Sequence, residues 1–207
     1  MRTLFSSLIV LLSCLLFQSC CGECNGIELG YFPVSSSSRN FTEYASSGTL
    51  TVQFAHESTT MIANYSNANS IPENYAENCS IDERCGQCCD QYQGEAISTR
   101  LTSGLGRPIF DIVIRPDFLN YTPETKPEDS GDVLEITADN QLNGKWFLPG
   151  AQPVATLTLD TRTFTNVYVV KDENLTDPSD VVAIYFTALE GIVGFEYGNG
   201  EVWSLLP

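Results

Sequence analysis

The chain is predicted to be mostly β, and three observations support this. Apolar and polar residues alternate with a period of two at several places, mainly in the second half, as they do in half-buried strands. The second half is also rich in β-branched and aromatic residues, which favour strands. Helical periodicity is rare. We therefore expect an antiparallel meander sheet, arranged as a sandwich or half-barrel, with one short helix that bears cysteines.

The individual strands follow from this alternation. They are predicted at 49–54, 110–115, 134–138, 155–159, 161–170, 181–188 and 192–197. The close spacing after residue 153 leaves no room for crossover helices, so the strands there should be antiparallel.

A terminal hairpin is predicted around the turn Gly198-Asn199-Gly200, because Asn-Gly supplies the positive φ angles that a tight turn needs. This turn places Trp203 opposite Val193, Phe195 and Tyr197, so we expect Trp203 to pack in the core.

A helix is predicted from Ser80 to Gly94. Ser80-Ile-Asp-Glu83 has the pattern of a capping box, in which Ser80 and Glu83 satisfy free backbone N–H groups. The helical spacing then places several cysteines on one face. The residues on that face are Ile81, Cys85, Cys88, Cys89 and Tyr92.

The N-terminus has the layout of an export signal. Arg2 precedes an apolar run from Leu4 to Phe17, which is shorter than the roughly 20 residues of a membrane-spanning helix. Cleavage before Cys14, Cys20 or Cys21 is compatible with this layout. Cleavage before Cys20 uses the whole apolar run, so we expect 1–19 to be a signal peptide and the Cys20 thiol to carry lipid.

The segment after the signal is predicted to be a tether. It contains the serine run Ser35–Ser38 and the sequence Ser46-Ser47-Gly48, which are typical of flexible linkers. The predicted organisation is therefore a flexible tether at 20–48, followed by a single β-rich domain at 49–207.

Two segments resemble bacterial envelope lipoproteins. The apolar run ending in Ser19-Cys20 resembles Gram-negative lipoprotein signals, especially the Ser-Cys type of the Bacteroidota. The resemblance implies a diacylglyceryl thioether and an N-acyl chain on Cys20, and several acyl chains anchor stably. The run from Ile184 to Trp203 resembles the terminal hairpins of small Bacteroidota envelope lipoproteins of unknown function.

Together these resemblances imply an outer-membrane lipoprotein whose partner is the membrane, with plain secretion as the alternative. Five Asn-x-Ser/Thr sequons would also suit a secreted eukaryotic protein, but a chain rich in Asn, Ser and Thr produces them by composition.

The charge is strongly acidic. Ten basic and 26 acidic residues give a net charge of −16, and loss of Arg2 with the signal leaves 9 − 26 = −17. Such a surface repels nucleic acid, so no nucleic-acid partner is expected. The acidic loops at 123–132 and 172–180 could attract Ca²⁺ but lack EF-hand spacing, so no metal site is predicted.

Six cysteines remain if Cys20 carries lipid and Cys14 is removed. An even number in an exported protein predicts disulfides, with the pairing left open. The predicted disulfide cysteines are Cys21, Cys24, Cys79, Cys85, Cys88 and Cys89.

The alternatives for this cluster are redox chemistry and a zinc or iron–sulfur site. Cys85-Gly-Gln-Cys88 has thioredoxin-type spacing, but the capping box puts Cys85 more than a turn inside the predicted helix, away from the N-terminus that lowers a thiol pKa. An exported protein more often oxidises such thiols than binds metal with them.

The sequence contains no strong catalytic motif such as Gly-x-Ser-x-Gly, His-Glu-x-x-His or a P-loop. The only histidine, His56, ends a predicted strand. We therefore expect a non-enzymatic binding or interaction module without a cofactor, whose partner is an envelope protein or a small hydrophobic ligand.

The alternative is a carrier of a hydrophobic ligand, a lipid or a lipoprotein. An open apolar concave face would favour a carrier, and a filled core would count against it. The aromatic residues that could line such a cleft are Trp146, Tyr168, Tyr185, Tyr197 and Trp203.

Overall fold

A computed structural model describes residues 28–45, 50–82, 86–117, 131–139, 141–148 and 150–207, with only the backbone of 28–29, 43 and 75–92. The helical elements are α1 (Ser36–Arg39) and a 3₁₀ helix (Asn40–Ala45). The strands are β1 (Glu28–Phe32), β2 (Leu50–His56), β3 (Thr59–Tyr65), β4 (Asn69–Asp82), β5 (Gly86–Ser103), β6 (Ile109–Pro116), β7 (Asp132–Ala138), β8 (Leu142–Leu148), β9 (Val154–Leu159), β10 (Arg162–Lys171), β11 (Val181–Thr187), β12 (Gly191–Tyr197) and β13 (Val202–Leu205).

The chain divides into two compact units rather than one domain. The first comprises Met1–Tyr31 and Glu73–Gln93, and the second comprises Phe32–Pro72 and Gly94–Pro207. The described part of the first unit is entirely strand, and both β1 and β4 pair with β5. Residues 73–93, which lie inside the predicted domain at 49–207, therefore group with Met1–Tyr31 in the first unit.

The mostly β prediction is confirmed, with 64% of residues in strands and a curled antiparallel sheet that forms a half-barrel. In the second unit the strand order is β8-β7-β6-β5-β3-β2-β13-β12-β11-β10-β9. Strands β9 to β13 form the predicted meander of consecutive antiparallel pairs. Strand β13 then pairs with β2, with Ser204 opposite Ala55, and so joins the meander to the N-terminal strands.

The predicted helix at residues 80–94 is wrong. Residues Ser80–Asp82 belong to β4, and Gly86–Gly94 lie in β5, which runs unbroken to Ser103. Capping residues contribute only about 1 kcal/mol. Strand β5 pairs with neighbouring strands, including β6 over Ile97–Thr102. Such tertiary pairing overrides a local helix signal.

The short helix of this fold lies instead in the predicted tether. Ser35 is the N-cap of α1, and its hydroxyl accepts a hydrogen bond from the Ser38 N–H at 3.3 Å. The serine run therefore starts a helix, as serine at an N-cap often does. Because Phe32, Val34 and Ala45 are also buried, the flexible-tether prediction is wrong for residues 28–45. The remaining tether residues, 20–27 and 46–48, lie outside the described residues.

The concave side of the half-barrel is filled by its own side chains. Phe195 packs against Phe54 and Phe110, with ring centroids 5.4 and 5.3 Å apart. The space between Phe54, Met61 and their neighbours has no room for a water molecule. This face is a packed core rather than an open cleft.

The terminal hairpin has the predicted register, with Phe195 directly opposite Trp203. The two rings are stacked with their centroids 6.2 Å apart, and the Trp203 side chain also contacts the His56 ring. Only 7% of Trp203 is exposed. The indole therefore closes one end of the core.

We predict that Trp203→Ala lowers the free energy of unfolding by about 3–5 kcal/mol, the usual cost of emptying a buried aromatic site. Urea unfolding of the variant measures this. Leu105→Ala is the control, because Leu105 is 86% exposed and its truncation should leave stability nearly unchanged. An unaltered melting temperature in Trp203→Ala would show that the indole contributes no core packing.

Candidate functional site

Residues 32–45, here called the strap, are fastened to the sheet by a buried carboxylate. Glu95 is only 3% exposed. Its carboxylate accepts hydrogen bonds from the Val34 N–H at 3.0 Å and the Ser70 hydroxyl at 2.5 Å, and it forms an ion pair with Arg39. Hydrogen bonds to a charged group contribute about 1.5–3 kcal/mol each, so Glu95 is a strong fixed point for the strap.

A second buried carboxylate holds the next residue of the strap. Asp132 in β7 accepts hydrogen bonds from the Ser35 N–H at 3.1 Å and the Ser35 hydroxyl at 2.6 Å. Two consecutive backbone amides of the strap are therefore bound by acids from two different strands. These carboxylates serve as hydrogen-bond acceptors for the chain itself, which is a structural role.

The strap also covers part of the sheet with aromatic rings. Phe41 packs edge-on against Tyr168 at 5.5 Å, and Tyr44 packs edge-on against Tyr65 at 4.9 Å. Both strap rings also face Phe186. Such pairs contribute about 0.5–1.5 kcal/mol beyond the area they bury, so the strap is an integral part of the core.

Tyr44 and Tyr65 differ in how their hydroxyl groups are satisfied. The Tyr65 hydroxyl accepts a hydrogen bond from the Ile192 N–H at 2.8 Å. The Tyr44 hydroxyl is buried and has no hydrogen-bond partner among the residues that the structure describes. Burial raises the pKa of both phenols, and the neighbouring Tyr65 raises the pKa of Tyr44 further.

Gly191 explains how the two rings fit beneath the β11–β12 turn. Its φ is +75°, a conformation that favours glycine. A Cβ atom at this position would lie 2.5 Å from the Tyr65 hydroxyl oxygen and 2.8 Å from the Tyr44 ring. The turn can therefore cover the hydroxyl end of Tyr44 closely only because residue 191 has no side chain.

A surface pocket of about 460 Å³ lies beside Tyr44, at the seam where β13 pairs with β2. We call it the seam pocket. Its polar lining residues are Tyr44, Thr51, Gln53, Arg162 and Glu190. Its apolar lining residues are Leu50, Val52, Leu189, Leu205, Leu206 and Pro207.

The Arg162 guanidinium contacts the β11–β12 turn, the end of the chain and a neighbouring aromatic ring. Its guanidinium forms an ion pair with Glu190 of the β11–β12 turn. It also donates to the carbonyls of Leu206 at 3.2 Å and Leu205 at 3.4 Å, and it lies over the Phe164 ring. Arg162 therefore fixes the mouth of the pocket, and Glu190 neutralises its charge.

The rim of the seam pocket exposes apolar side chains to water. Leu189 at the tip of the β11–β12 turn is 86% exposed, and Leu206 is 36% exposed. A turn tip usually carries polar residues. Neighbouring exposed leucines at the edge of a pocket are a feature of binding surfaces.

The side chains of the cysteines named by the sequence all lie outside the described residues. Cys20, Cys21, Cys24 and Cys85 lie outside the described residues. The backbones of Cys79, Cys88 and Cys89 lie in strands β4 and β5, and their side chains are outside the description. The lipid, disulfide and redox assignments therefore stay predictions.

The other residues singled out from the sequence do not form one cleft. Trp203 and Tyr168 are core residues, while Trp146, Tyr185 and Tyr197 pack against the core from its edge. The Nδ1 atom of His56 is 3.0 Å from the Val202 carbonyl.

In the acidic loop at 172–180, carboxylates accept hydrogen bonds from residues of the same loop. Asp177 accepts hydrogen bonds from the Ser179 N–H and hydroxyl, which lower its pKa. Within the described ranges, no group of three or more His, Cys, Asp or Glu side chains is placed to hold a metal ion. The acidic residues 123–130 lie outside the description.

Sequence reasoning did not identify Arg39, Tyr44, Glu95 or Arg162, and it placed Asp132 only in an acidic loop. Glu95 lies 61 residues from Val34, and Asp132 lies 97 residues from Ser35. No spacing motif connects partners so far apart. A weak signal was available for Glu95, because it is an acidic residue flanked by the small or apolar residues Gly94, Ala96 and Ile97.

We predict that Tyr65→Phe and Tyr44→Phe change stability in different ways. Tyr65→Phe leaves the Ile192 N–H buried without its acceptor, so the free energy of unfolding should fall by about 1–3 kcal/mol. Tyr44→Phe removes a hydroxyl that makes no hydrogen bond within the described residues, so stability should stay level or rise. Paired thermal melts test this, and an equal loss in both variants would contradict the assignment.

We further predict that Glu95→Gln loosens the strap. The amide cannot accept as strongly from Val34, Ser70 and Arg39, so unfolding should become easier by about 2 kcal/mol. Limited proteolysis should then cut within residues 32–45. The control is Glu135→Gln, which removes a more exposed ion-paired acid and should cost under about 1 kcal/mol. Intact protease resistance in Glu95→Gln would argue against this fastening.

No protein-family model, curated protein or solved structure matches this chain significantly. In the part of the chain that the structure describes, no helix has the length and hydropathy needed to cross a bilayer.

Proposed function

We propose that this chain is a lipid-anchored, non-enzymatic binding module of the bacterial cell envelope that binds its ligand at the seam pocket. The anchor would be the lipid on Cys20, most simply in the outer membrane. Its partners would be the membrane, through that lipid, and an envelope protein or small hydrophobic ligand. The acidic charge disfavours nucleic acid.

The observation that carries this proposal is the fastening of the strap. In a lipid-anchored protein, any force between the membrane and the domain passes through the chain that follows the lipidated cysteine. In this chain the first segment of the second unit is held by two buried carboxylates, an ion pair and two aromatic contacts. Such fastening suits a domain that is held from its N-terminal side.

The alternative of an interior carrier is less well supported. A carrier of lipid or lipoprotein needs an open apolar concave face, whereas the described core is filled by Phe54, Phe110 and Phe195. The seam pocket lies outside this core and combines apolar lining with polar groups, which is the usual composition of a small-molecule site.

The redox alternative is also less well supported. The Cys85-Gly-Gln-Cys88 motif would need a helix N-terminus to lower the pKa of its first thiol. Gly86 and the residues after it form strand β5. Structural disulfides remain our proposal for the six exported cysteines.

We predict that Cys20→Ala abolishes metabolic labelling with palmitate and releases the protein from membranes, because the variant lacks the thiol that receives the diacylglyceryl group. Labelling followed by membrane fractionation measures both effects. Cys21→Ala is the matched control and should keep the label. Undiminished labelling of Cys20→Ala would place the anchor elsewhere or remove it from the proposal.

A further inference from the structure

We propose that the ligand of the seam pocket is an uncharged aliphatic acyl compound whose carbonyl oxygen accepts a hydrogen bond from Tyr44. This inference rests on the proposal that the seam pocket is the binding site, and it adds the chemical class of the ligand. Three features of the pocket support it: its apolar lining residues, its balanced charge and the buried Tyr44 hydroxyl, which has no partner within the described residues.

The apolar lining accounts for the aliphatic part. Leu50 and Val52 of β2 and Leu205 of β13 form one side of the pocket, while Leu189 and Leu206 form the exposed rim. A chain of methylene groups laid against these residues would remove both rim leucines from water. Each buried methylene group favours binding, and a volume of about 460 Å³ lies within the range of small-molecule sites.

The charge balance of the pocket favours a ligand whose polar end is uncharged. The one cationic side chain in the lining, Arg162, is already paired with Glu190. A ligand carboxylate would meet the Glu190 carboxylate in the same wall, on a chain whose net charge is −16. Two carboxylates in the same pocket repel each other. An uncharged ligand avoids this repulsion.

The unpartnered donor accounts for the carbonyl. The Tyr44 hydroxyl is fully buried and makes no hydrogen bond within the described residues, while its residue forms part of the pocket wall. Gly191 of the β11–β12 turn covers that end of the ring. The proposed hydrogen bond therefore requires the turn tipped by the exposed Leu189 to move off Tyr44 when the ligand binds.

The test uses the full chain carrying Cys20→Ala, which requires no detergent, and three eight-carbon probes. These are 1-monocaprylin, with an ester carbonyl, 1-O-octylglycerol, its ether analogue, and octanoate, with a carboxylate. Titration calorimetry below the micelle concentrations gives each Kd. We expect the ester to bind best. The ether should bind roughly three- to ten-fold more weakly because it lacks the carbonyl acceptor, and octanoate should bind more weakly than the ester.

Two variants and a matched control locate the effect. Tyr44→Phe should bind ester and ether equally while keeping its melting temperature. Leu189→Asp should weaken ester binding at least ten-fold. Leu105→Asp changes a residue at another turn with the same 86% exposure, so it should bind the ester as the unsubstituted chain does.

Three results would overturn the inference. If octanoate or the ether bound as well as the ester, or if Tyr44→Phe kept the preference for the ester, the pocket would stand as a site but the ligand class would be wrong. If Leu105→Asp lost as much affinity as Leu189→Asp, the binding would be non-specific. If none of the probes bound, both the ligand class and the seam pocket as the site of the proposed function would fail.

Discussion

The hydrogen bonding of Glu95 is the interaction on which the rest of the second unit depends. Its carboxylate is buried and takes donors from Val34, Ser70 and Arg39. A buried charge is tolerated only when its acceptor positions are filled. If the strap left the sheet, Glu95 would lose two of these donors, and the ring of Tyr44 would no longer cover Tyr65. Strap docking and core packing are therefore coupled.

The second constraint is the seam between β2 and β13. Strands that are distant in sequence meet there, with Leu205 opposite Phe54, and this pairing completes the curl of the sheet. Arg162, the first residue of β10, reinforces the seam by donating to the carbonyls of Leu205 and Leu206. The pocket lies at this junction, between β2, the β11–β12 turn and the end of the chain after β13.

The sequence predicted strands well where each has a regular alternating face, such as β6, with Phe110, Ile112 and Ile114 buried. It missed β8, whose interior contains Gly144, a residue that weakens a strand signal. A Cβ atom there would lie 2.6 Å from the Trp146 ring and 2.9 Å from Val170, so the glycine is explained only by tertiary packing. The strap was missed for the same reason, because its serine run resembles a linker until Glu95 and Asp132 are placed beside it.

The two neighbouring tyrosines show what packing alone leaves unexplained. The ring of Tyr44 is held by Tyr65 and Phe186, and a phenylalanine ring would keep those contacts. The hydroxyl adds a buried donor, and leaving such a donor unpaired costs about 1–3 kcal/mol. Tyr65 keeps one hydrogen bond, because its hydroxyl oxygen accepts from the Ile192 N–H. Tyr44 has no partner within the described residues, and under our proposal a carbonyl bound in the seam pocket would supply one, which would link strap docking to ligand binding.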